Sequence, residues 1–383
     1  MRDQLGLSNT QLGLLLSAFF WSYAPGQLPA GWLAERLDAR WVLAAGVGVW
    51  GVATALTGLA SGFIMLLVLR VMLGVGESVM YPASFKILAR EVPEGQRGRA
   101  NGFLAAGQNS GPAFGTLVCG LLIAWLGWRI VFVGLGCVSL LWLWPWLRTP
   151  RSGIQQRLSG VPDGPPMLSI LRSRELWGSC LGGFCLSYSL YLVLSWLPVY
   201  LVKARGFSVA EMAQIGAGVY ILSAITSVLT GSVSDRWLKA GAGSNRVRKT
   251  ALLAGFAGLT ACMSMGALAG PLESLAGMAG CGVFLGILVP SYFATAQTLA
   301  GPDATARWFG VQNFIGNIGG ITAPAITGVV VDRTGSFSTA FLIAAAFALL
   351  GILAFGLIVR KVEPVDWGGD DSCGTGSGSV ASE

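Results

Sequence analysis

Long apolar stretches, separated by short clusters of charged and turn-forming residues, dominate the chain. Each is about 20 residues long or longer, which is what an α-helix needs to cross a bilayer. None has the alternating apolar and polar positions of a transmembrane strand. The pattern predicts an all-α, polytopic membrane protein with eleven transmembrane helices. The predicted spans are 10–32, 41–60, 62–86, 99–125, 129–147, 176–202, 209–234, 250–270, 274–299, 308–331 and 337–359.

The segments outside these spans predict the domain organisation. A charged, proline-containing stretch, 148–174, separates an N-terminal helical bundle of five spans (1–147) from a C-terminal bundle of six (175–361). The Gly/Ser-rich, acidic stretch 362–383 predicts a disordered tail. Counting basic residues on alternate sides of the spans places 19 on one side and five on the other. The richer side is expected to be cytoplasmic and to hold the linker and the C-terminus.

The two halves repeat one plan. Gly31–Arg36 (GWLAER) recurs as Gly231–Arg236 (GSVSDR), 200 residues later. Further on, the matched pairs lie 208 residues apart. They are Arg99/Arg307, Gly102/Gly310, Asn109/Asn317, Gly111/Gly319, Gly120/Gly328 and Gly127/Gly335. Such duplication is typical of transporters with a binding site between two helical bundles.

The repeat also predicts a missing helix. Span 176–202 precedes the loop Gly206-Phe207-Ser208, whereas the matching loop Gly6-Leu7-Ser8 comes directly after Met1. We therefore expect the full molecule to have twelve spans and this chain to lack the first. The alternative is a natural eleven-span protein, and in-frame DNA upstream of Met1 would distinguish the two.

Composition removes most other classes of function. The chain is 54% hydrophobic and only 11% charged, too few charges to cover a soluble protein of this size. It has no histidine, and its cysteines are scattered singly, so a metal site or a catalytic triad is not expected. There is no phosphate-binding G-x-x-x-x-G-K-S/T loop, and topology accounts for the net charge of +7. We expect no enzyme activity, no cofactor, and no nucleotide or nucleic-acid partner.

Several motifs together resemble the major facilitator superfamily. GWLAERLDAR resembles the loop G-x-L-A-D-R-x-G-R-R of that superfamily, with Glu35 replacing Asp and Asp38 replacing Gly. RVMLGVGESVMYPAS (70–84), WLPVYL (196–201) and GVQNFIGNIGGITAPAITG (310–328) are similar to its anion:cation symporter group. The resemblance implies proton-coupled import of a small organic anion, most typically a sugar acid or hexuronate, by alternating access. It also implies a monomer in the bacterial inner membrane.

Glu77 is the candidate proton-coupling residue. It alone among eighteen carboxylates lies well inside a span, roughly 22 Å from its outer start at 1.5 Å per residue. A carboxylate there is costly unless it is protonated, paired or facing a water-filled cavity. Arg70 lies two turns earlier on the same face, and the family's Glu and Arg pair maps onto Glu77 and Arg70. An internal ion pair that only fixes packing is the alternative.

Other polar residues inside spans are candidate substrate ligands, because amides and hydroxyls suit the hydroxyls and carboxylate of a sugar acid. Interhelical hydrogen bonding is the alternative for each. The resemblance favours Tyr23, Gln108, Tyr191 and Asn317 as residues that line the cavity. The full set is Tyr23, Gln108, Asn109, Tyr188, Tyr191, Ser195, Asn313 and Asn317.

The duplicated loops supply candidate gating residues. The resemblance implies that their charges act as latches favouring one access state, while helix capping and membrane topology are the alternatives. The predicted gating residues are Gly31, Glu35, Arg36, Arg40, Asp235 and Arg236.

Two other functions stay open. G-x-x-x-G-P-x-x-G at 107–115 resembles an antiporter pattern, which would make the chain a proton/organic-anion antiporter or exporter. An inactive or sensory truncated homologue is the other alternative, because the family's first helix carries an Arg that faces the substrate.

Overall fold

A computed structural model describes residues 9–149, 164–268 and 270–367. Within these ranges every regular element is a helix. The first half contains α1 (Asn9–Arg36), α2 (Ala39–Thr57), α3 (Phe63–Ser78), α4 (Met80–Glu91), and α5 and α6 within Glu94–Arg148. The second half contains α7 (Met167–Arg172), α8 (Arg174–Val199), α9 (Val209–Lys239), α10 (Ser244–Leu268), α11 and α12 within Pro271–Thr334, and α13 (Phe337–Leu353).

Two glycines divide the longest helical stretches. Gly127 (φ 77°) separates α5 (94–126) from α6 (128–148), and Gly301 (φ 67°) separates α11 (271–300) from α12 (302–334). Positive φ is easily adopted only by glycine, and Pro302 suits the first turn of the next helix. Each stretch therefore crosses the membrane twice.

One predicted span consists of two helices. Residues 62–86 form α3 and the start of α4, which meet at Val79, two residues after Glu77. Pro82 explains the break, because it has no N–H to donate to the Ser78 carbonyl and its ring crowds that group. The break places Glu77 at an end of regular helix.

The described helices give the predicted eleven crossings. Eight stretches are long and apolar enough to cross a membrane, and one of these, 273–334, is the pair α11 and α12. Helices α1 and α5 are not among those eight stretches, but each is longer than the roughly 20 residues that a crossing needs, so they complete the predicted eleven. Helices α1–α6 form the N-terminal bundle and α8–α13 the C-terminal bundle, which meet where α1 packs on α12 and α5 packs on α9.

The bundles meet at one end of the molecule. We call it the basic end, because it carries Arg36, Arg90, Arg97, Arg246 and Arg360. There, a Cβ added to Gly102 on α5 would lie 2.6 Å from the Ser227 carbonyl oxygen on α9. Toward the opposite end of α9, added Cβ atoms at Gly216 and Gly218 meet no described atom within 4 Å.

The start of α9 shows how the repeated Gly-Phe-Ser loop works. Gly206 turns the chain (φ 73°), and the Ser208 hydroxyl accepts a hydrogen bond from the Glu211 backbone N–H. The Ser208 backbone N–H and hydroxyl both donate to Glu211 and lower the pKa of its carboxyl group. This reciprocal capping box fixes the helix start.

The prediction of a disordered tail from residue 362 onward is wrong for its first six residues. Val362 is buried, the Val365 N–H donates to the Leu299 carbonyl, and the Trp367 indole donates to the Ala300 carbonyl. Residues 362–367 are thus packed against the end of α11 and are not disordered, because they offer apolar side chains and backbone donors to that end. The remainder of the predicted tail, 368–383, lies outside the described residues.

Candidate functional site

A cavity of about 90 Å³ lies between the bundles. Five of the predicted substrate ligands line it, with tyrosines and amides from both halves of the chain. These are Tyr23, Gln108, Tyr191, Asn313 and Asn317. Asn317 Nδ2 donates to the Asn313 carbonyl (2.8 Å), which fixes the amide on its helix.

The other three predicted ligands are placed differently. Tyr188 is fully buried in the C-terminal bundle, with its ring centroid 4.3 Å from that of Phe347, and it does not line this cavity. Ser195 is exposed one turn beyond Tyr191 and also lies outside the cavity. These three residues lie along one side of α8, as their spacing predicts, but only Tyr191 lines the cavity. The side chain of Asn109 lies outside the described residues.

Two further tyrosines that were not predicted from the sequence, Tyr81 and Tyr292, also line the cavity. Tyr81 lies beside Gln108 and stacks on Phe85, with ring centroids 5.6 Å apart. Tyr292 packs beside Phe293 at 5.6 Å. The internal repeat contains a signal for this region. Pro82, beside Tyr81, and Pro290, near Tyr292, are 208 residues apart and therefore occupy matching positions in the two halves.

Glu77 and Arg70 lie near this cavity without forming a contact ion pair. Both are half-buried, and neither has an ionic partner within 4 Å among the described residues. The Glu77 carboxylate interacts electrostatically with Arg70, Tyr23 and Tyr81. The two residues lie on the same helix, α3, about two turns apart.

Glu35 fastens the two bundles together at the basic end. Its Oε2 lies 3.0 Å from Lys86 Nζ on α4, and its Oε1 accepts a hydrogen bond from the Ala306 N–H (2.7 Å) on α12. Lys86 also donates to the Ala34 and Glu35 carbonyls. The carboxylate therefore joins a buried ion pair to the positive end of a helix in the other bundle.

Asp235 makes the symmetry-related contact. Its two oxygens accept hydrogen bonds from the Gly98 N–H (2.8 Å) and the Arg99 N–H (2.7 Å) near the start of α5. Gly98 and Ala306 are 208 residues apart, and Asp235 and Glu35 are 200 apart. Each bundle thus contributes one carboxylate to the first turns of a helix in the other.

The remaining predicted gating residues divide into two groups. Gly31 is at the contact, since a Cβ there would lie 2.6 Å from the Ala306 carbonyl oxygen. Arg40 instead donates to the Trp146 and Thr149 carbonyls within its own bundle. Arg36 is exposed over the Trp32 ring, and Arg236 is also exposed.

Several bundle-to-bundle contacts at this end were not predicted. Asn101 on α5 and Gln297 on α11 exchange two hydrogen bonds (2.8 and 3.2 Å) while fully buried. Arg90 pairs with Asp303 (3.0 Å). Arg307, at the start of α12, donates to the Gly164 and Pro165 carbonyls of the linker. No local sequence signal marks these partners, which come from distant parts of the chain.

The two bundles differ along one helix face. In the C-terminal bundle, α8 covers α12, and a Cβ at Gly319 would lie 2.6 Å from the Phe184 carbonyl oxygen. The counterpart Gly111 on α5 meets no described atom within 4 Å. The N-terminal bundle also contains an apolar groove of about 680 Å³, which residues of α2, α4, α5 and α6 line. We call it the N-bundle groove, and its wall includes Trp50, Trp142 and Trp146.

Two pseudo-symmetric helical bundles with a polar cavity between them define a membrane transporter. The family model of the Major Facilitator Superfamily matches residues 1–324 and 240–377. The chain belongs to this superfamily, which confirms the resemblance and the prediction of a transporter rather than an enzyme.

Relatives and solved structures agree with this assignment. The chain is 30% identical to the "Probable galactarate/D-glucarate transporter GudP" of Bacillus subtilis, covering 95% of this chain and 87% of that one. It is 29% identical to the "Hexuronate transporter" of the same organism, covering 95% and 89%. A crystal structure of the Escherichia coli fucose:proton symporter FucP superposes with a TM-score of 0.75 at 21% identity, covering 93% and 92%. This likeness confirms the all-α, two-bundle fold.

Proposed function

We propose that this protein imports a small organic anion, a sugar acid or hexuronate, together with protons by alternating access. The main support for this proposal is the cavity between the bundles. Tyrosines and amides from both bundles line it, and two of these tyrosines, Tyr23 and Tyr81, interact electrostatically with Glu77. Phenols and amides donate and accept hydrogen bonds, as a polyhydroxylated acid requires. The substrates for which the relatives are named, galactarate, D-glucarate and hexuronate, support the same substrate class.

Glu77 is the group proposed to carry the proton. Its charge is costly within the membrane, so it gains a proton when the cavity faces the proton-rich side and loses it when it faces the other side. Arg70 then attracts the substrate carboxylate, since it has no contact carboxylate partner in the described part of the chain. Substrate and proton therefore enter the same cavity.

The contacts of Glu35 and Asp235 support an outward-facing state. If the basic end is cytoplasmic, as the distribution of Lys and Arg favours, the bundles are closed inside and apart outside. Import then requires both carboxylates to release the first turns of α12 and α5. We propose that this multi-pass protein lies in the bacterial inner membrane with its C-terminus in the cytoplasm.

No described helix covers α5 at Gly111, and this face together with the N-bundle groove supports an additional helix. In the C-terminal bundle α8 fills the equivalent space, with Gly183 packed against Tyr292. The counterpart of Tyr292, 208 residues earlier, is Ser84, which lines the N-bundle groove. We infer that an apolar helix equivalent to α8 belongs there, which completes twelve crossings.

Uptake into proteoliposomes tests the function. We expect an imposed pH gradient to drive accumulation of D-glucuronate or D-galactarate, and Glu77→Gln to abolish that accumulation while sparing counterflow. Glu363→Gln, which makes the same change at an exposed residue outside the cavity, is the control for preparation and reconstitution. Full gradient-driven accumulation by Glu77→Gln would contradict the assigned role. Efflux driven by an inward proton gradient would instead establish antiport.

A further inference from the structure

Two glutamines are buried in the membrane region with unpaired amides. Gln27 on α1 and Gln312 on α12 are 0% exposed. Neither amide nitrogen nor amide oxygen of either residue meets hydrogen-bond geometry with another described residue. Burying an amide without hydrogen-bond partners destabilises a folded protein. Packing alone therefore does not explain two amides here.

Both glutamines adjoin the cavity, one from each bundle. Gln27 interacts with the Tyr23 side chain and Gln312 with the Tyr292 side chain, although neither contact meets hydrogen-bond geometry. Both tyrosines line the cavity. A Cβ added to Gly310, two residues before Gln312, would lie 2.6 Å from the Gln27 carbonyl oxygen. The backbones of α1 and α12 thus touch at Gln27 and Gly310, between the cavity and the Glu35 contact.

Both glutamines lie between the cavity and the basic end of the molecule. Gln27 is one helical turn closer than Tyr23 to Gly31 and Glu35, which form that end of α1. Gln312 likewise lies between the start of α12, where Ala306 contacts Glu35, and the cavity residue Asn317. A molecule that moves from the cavity toward the basic end meets these amides next.

We propose that Gln27 and Gln312 form an inner hydrogen-bonding level that binds substrate hydroxyl groups when the substrate reaches the floor of the cavity. Each amide offers two donor hydrogens and an acceptor oxygen, and a hydroxyl can satisfy both kinds of group. A carboxylate without hydroxyls cannot donate to the amide oxygens. The pair therefore selects hydroxylated acids over plain ones, which deepens the proposed function and rests on it.

Galactarate and adipate are suitable probes, because both are six-carbon dicarboxylates and only galactarate carries hydroxyls. We expect purified wild-type protein to bind galactarate more tightly than adipate, since a site built for hydroxyls rejects an analogue that lacks them. In Gln27→Met and Gln312→Met, galactarate affinity should fall about tenfold or more while adipate affinity stays within about threefold. Ligand-induced thermal stabilisation and calorimetry measure both.

The melting temperature of the ligand-free protein distinguishes a role of the two glutamines in ligand recognition from a role in packing. Methionine keeps the volume and removes the unpaired polar groups, so the melting temperature of both variants should stay the same or rise. Gln297→Met is the matched control, because that buried glutamine is paired with Asn101. Its melting temperature should fall, with no change in the ratio of galactarate to adipate affinity.

Each contrary result has a defined meaning. An unchanged affinity ratio in both cavity variants, or a large drop in their melting temperatures, overturns the inner level and leaves the proposed transport intact. If the wild-type protein binds no sugar acid among galactarate, glucuronate and galactonate, the proposed substrate class and the inner level both fail.

Discussion

At the scale of single residues, the molecule separates two kinds of buried charge. Glu77 has no ionic partner within 4 Å among the described residues, and we propose that its charge changes during transport. Glu35 is held by Lys86 at 3.0 Å and by the Ala306 N–H. A hydropathy pattern marks only the first kind, because Glu35 lies at the end of a span where charge is expected.

The Glu35 contact predicts a specific loss of stability. Glu35→Gln should lower the free energy of unfolding by about 3–5 kcal/mol, because Lys86 would remain buried without its carboxylate. Asp235→Asn should cost less, since that carboxylate accepts from backbone amides. Thermal unfolding in detergent measures both, and the double variant Glu35→Gln/Lys86→Met should recover much of the loss. A double variant as unstable as Glu35→Gln alone would contradict this account.

At the scale of helices, the internal repeat is a physical duplication of contacts. Gly31 meets Ala306 as Gly231 meets Gly98, and Gly310 meets Gln27 as Gly102 meets Ser227. The symmetry is incomplete on one face, where α8 covers Gly319 and no described helix covers Gly111. The contrast gives a direct test of packing.

In this 383-residue chain, Gly319→Leu should destabilise the fold strongly, because the side chain would overlap the Phe184 carbonyl. Gly111→Leu should change the melting temperature little. In a longer chain that supplies a helix before residue 1, both substitutions should be comparably harmful. If Gly111→Leu stays harmless there, the inferred position of the additional helix is wrong.

At the scale of the whole molecule, the described structure is closed at the basic end and open at the other. Hydrogen bonds that join the bundles cluster at the basic end, including Asn101 with Gln297 and Arg90 with Asp303. Small residues let the backbones approach there, so bulky side chains at these positions should favour the opposite state.

Spin labels in a cysteine-free background can measure that change of state. We expect Gly31→Val combined with Gly231→Val to lengthen the distance between labels at positions 96 and 239, near the basic end. The same change should shorten the distance between positions 118 and 214, at the other end. Gly48→Val, which meets no described atom within 4 Å, should leave both distances unchanged. Parallel changes at both ends would exclude a rocking motion.

The sequence by itself determined the number of crossings, the duplicated plan and the position of Glu77. These follow from hydropathy over about 20 residues and from self-similarity at a fixed offset, both of which are local properties of the chain. Only the tertiary structure decided which polar groups meet. Tyr81 and Tyr292 line the cavity, whereas Tyr188 is buried in the core. Arg40 forms its hydrogen bonds within the N-terminal bundle. Partners such as Glu35 and Ala306, 271 residues apart, are set by how two bundles pack, and periodicity along one helix does not encode the face that its neighbour presents.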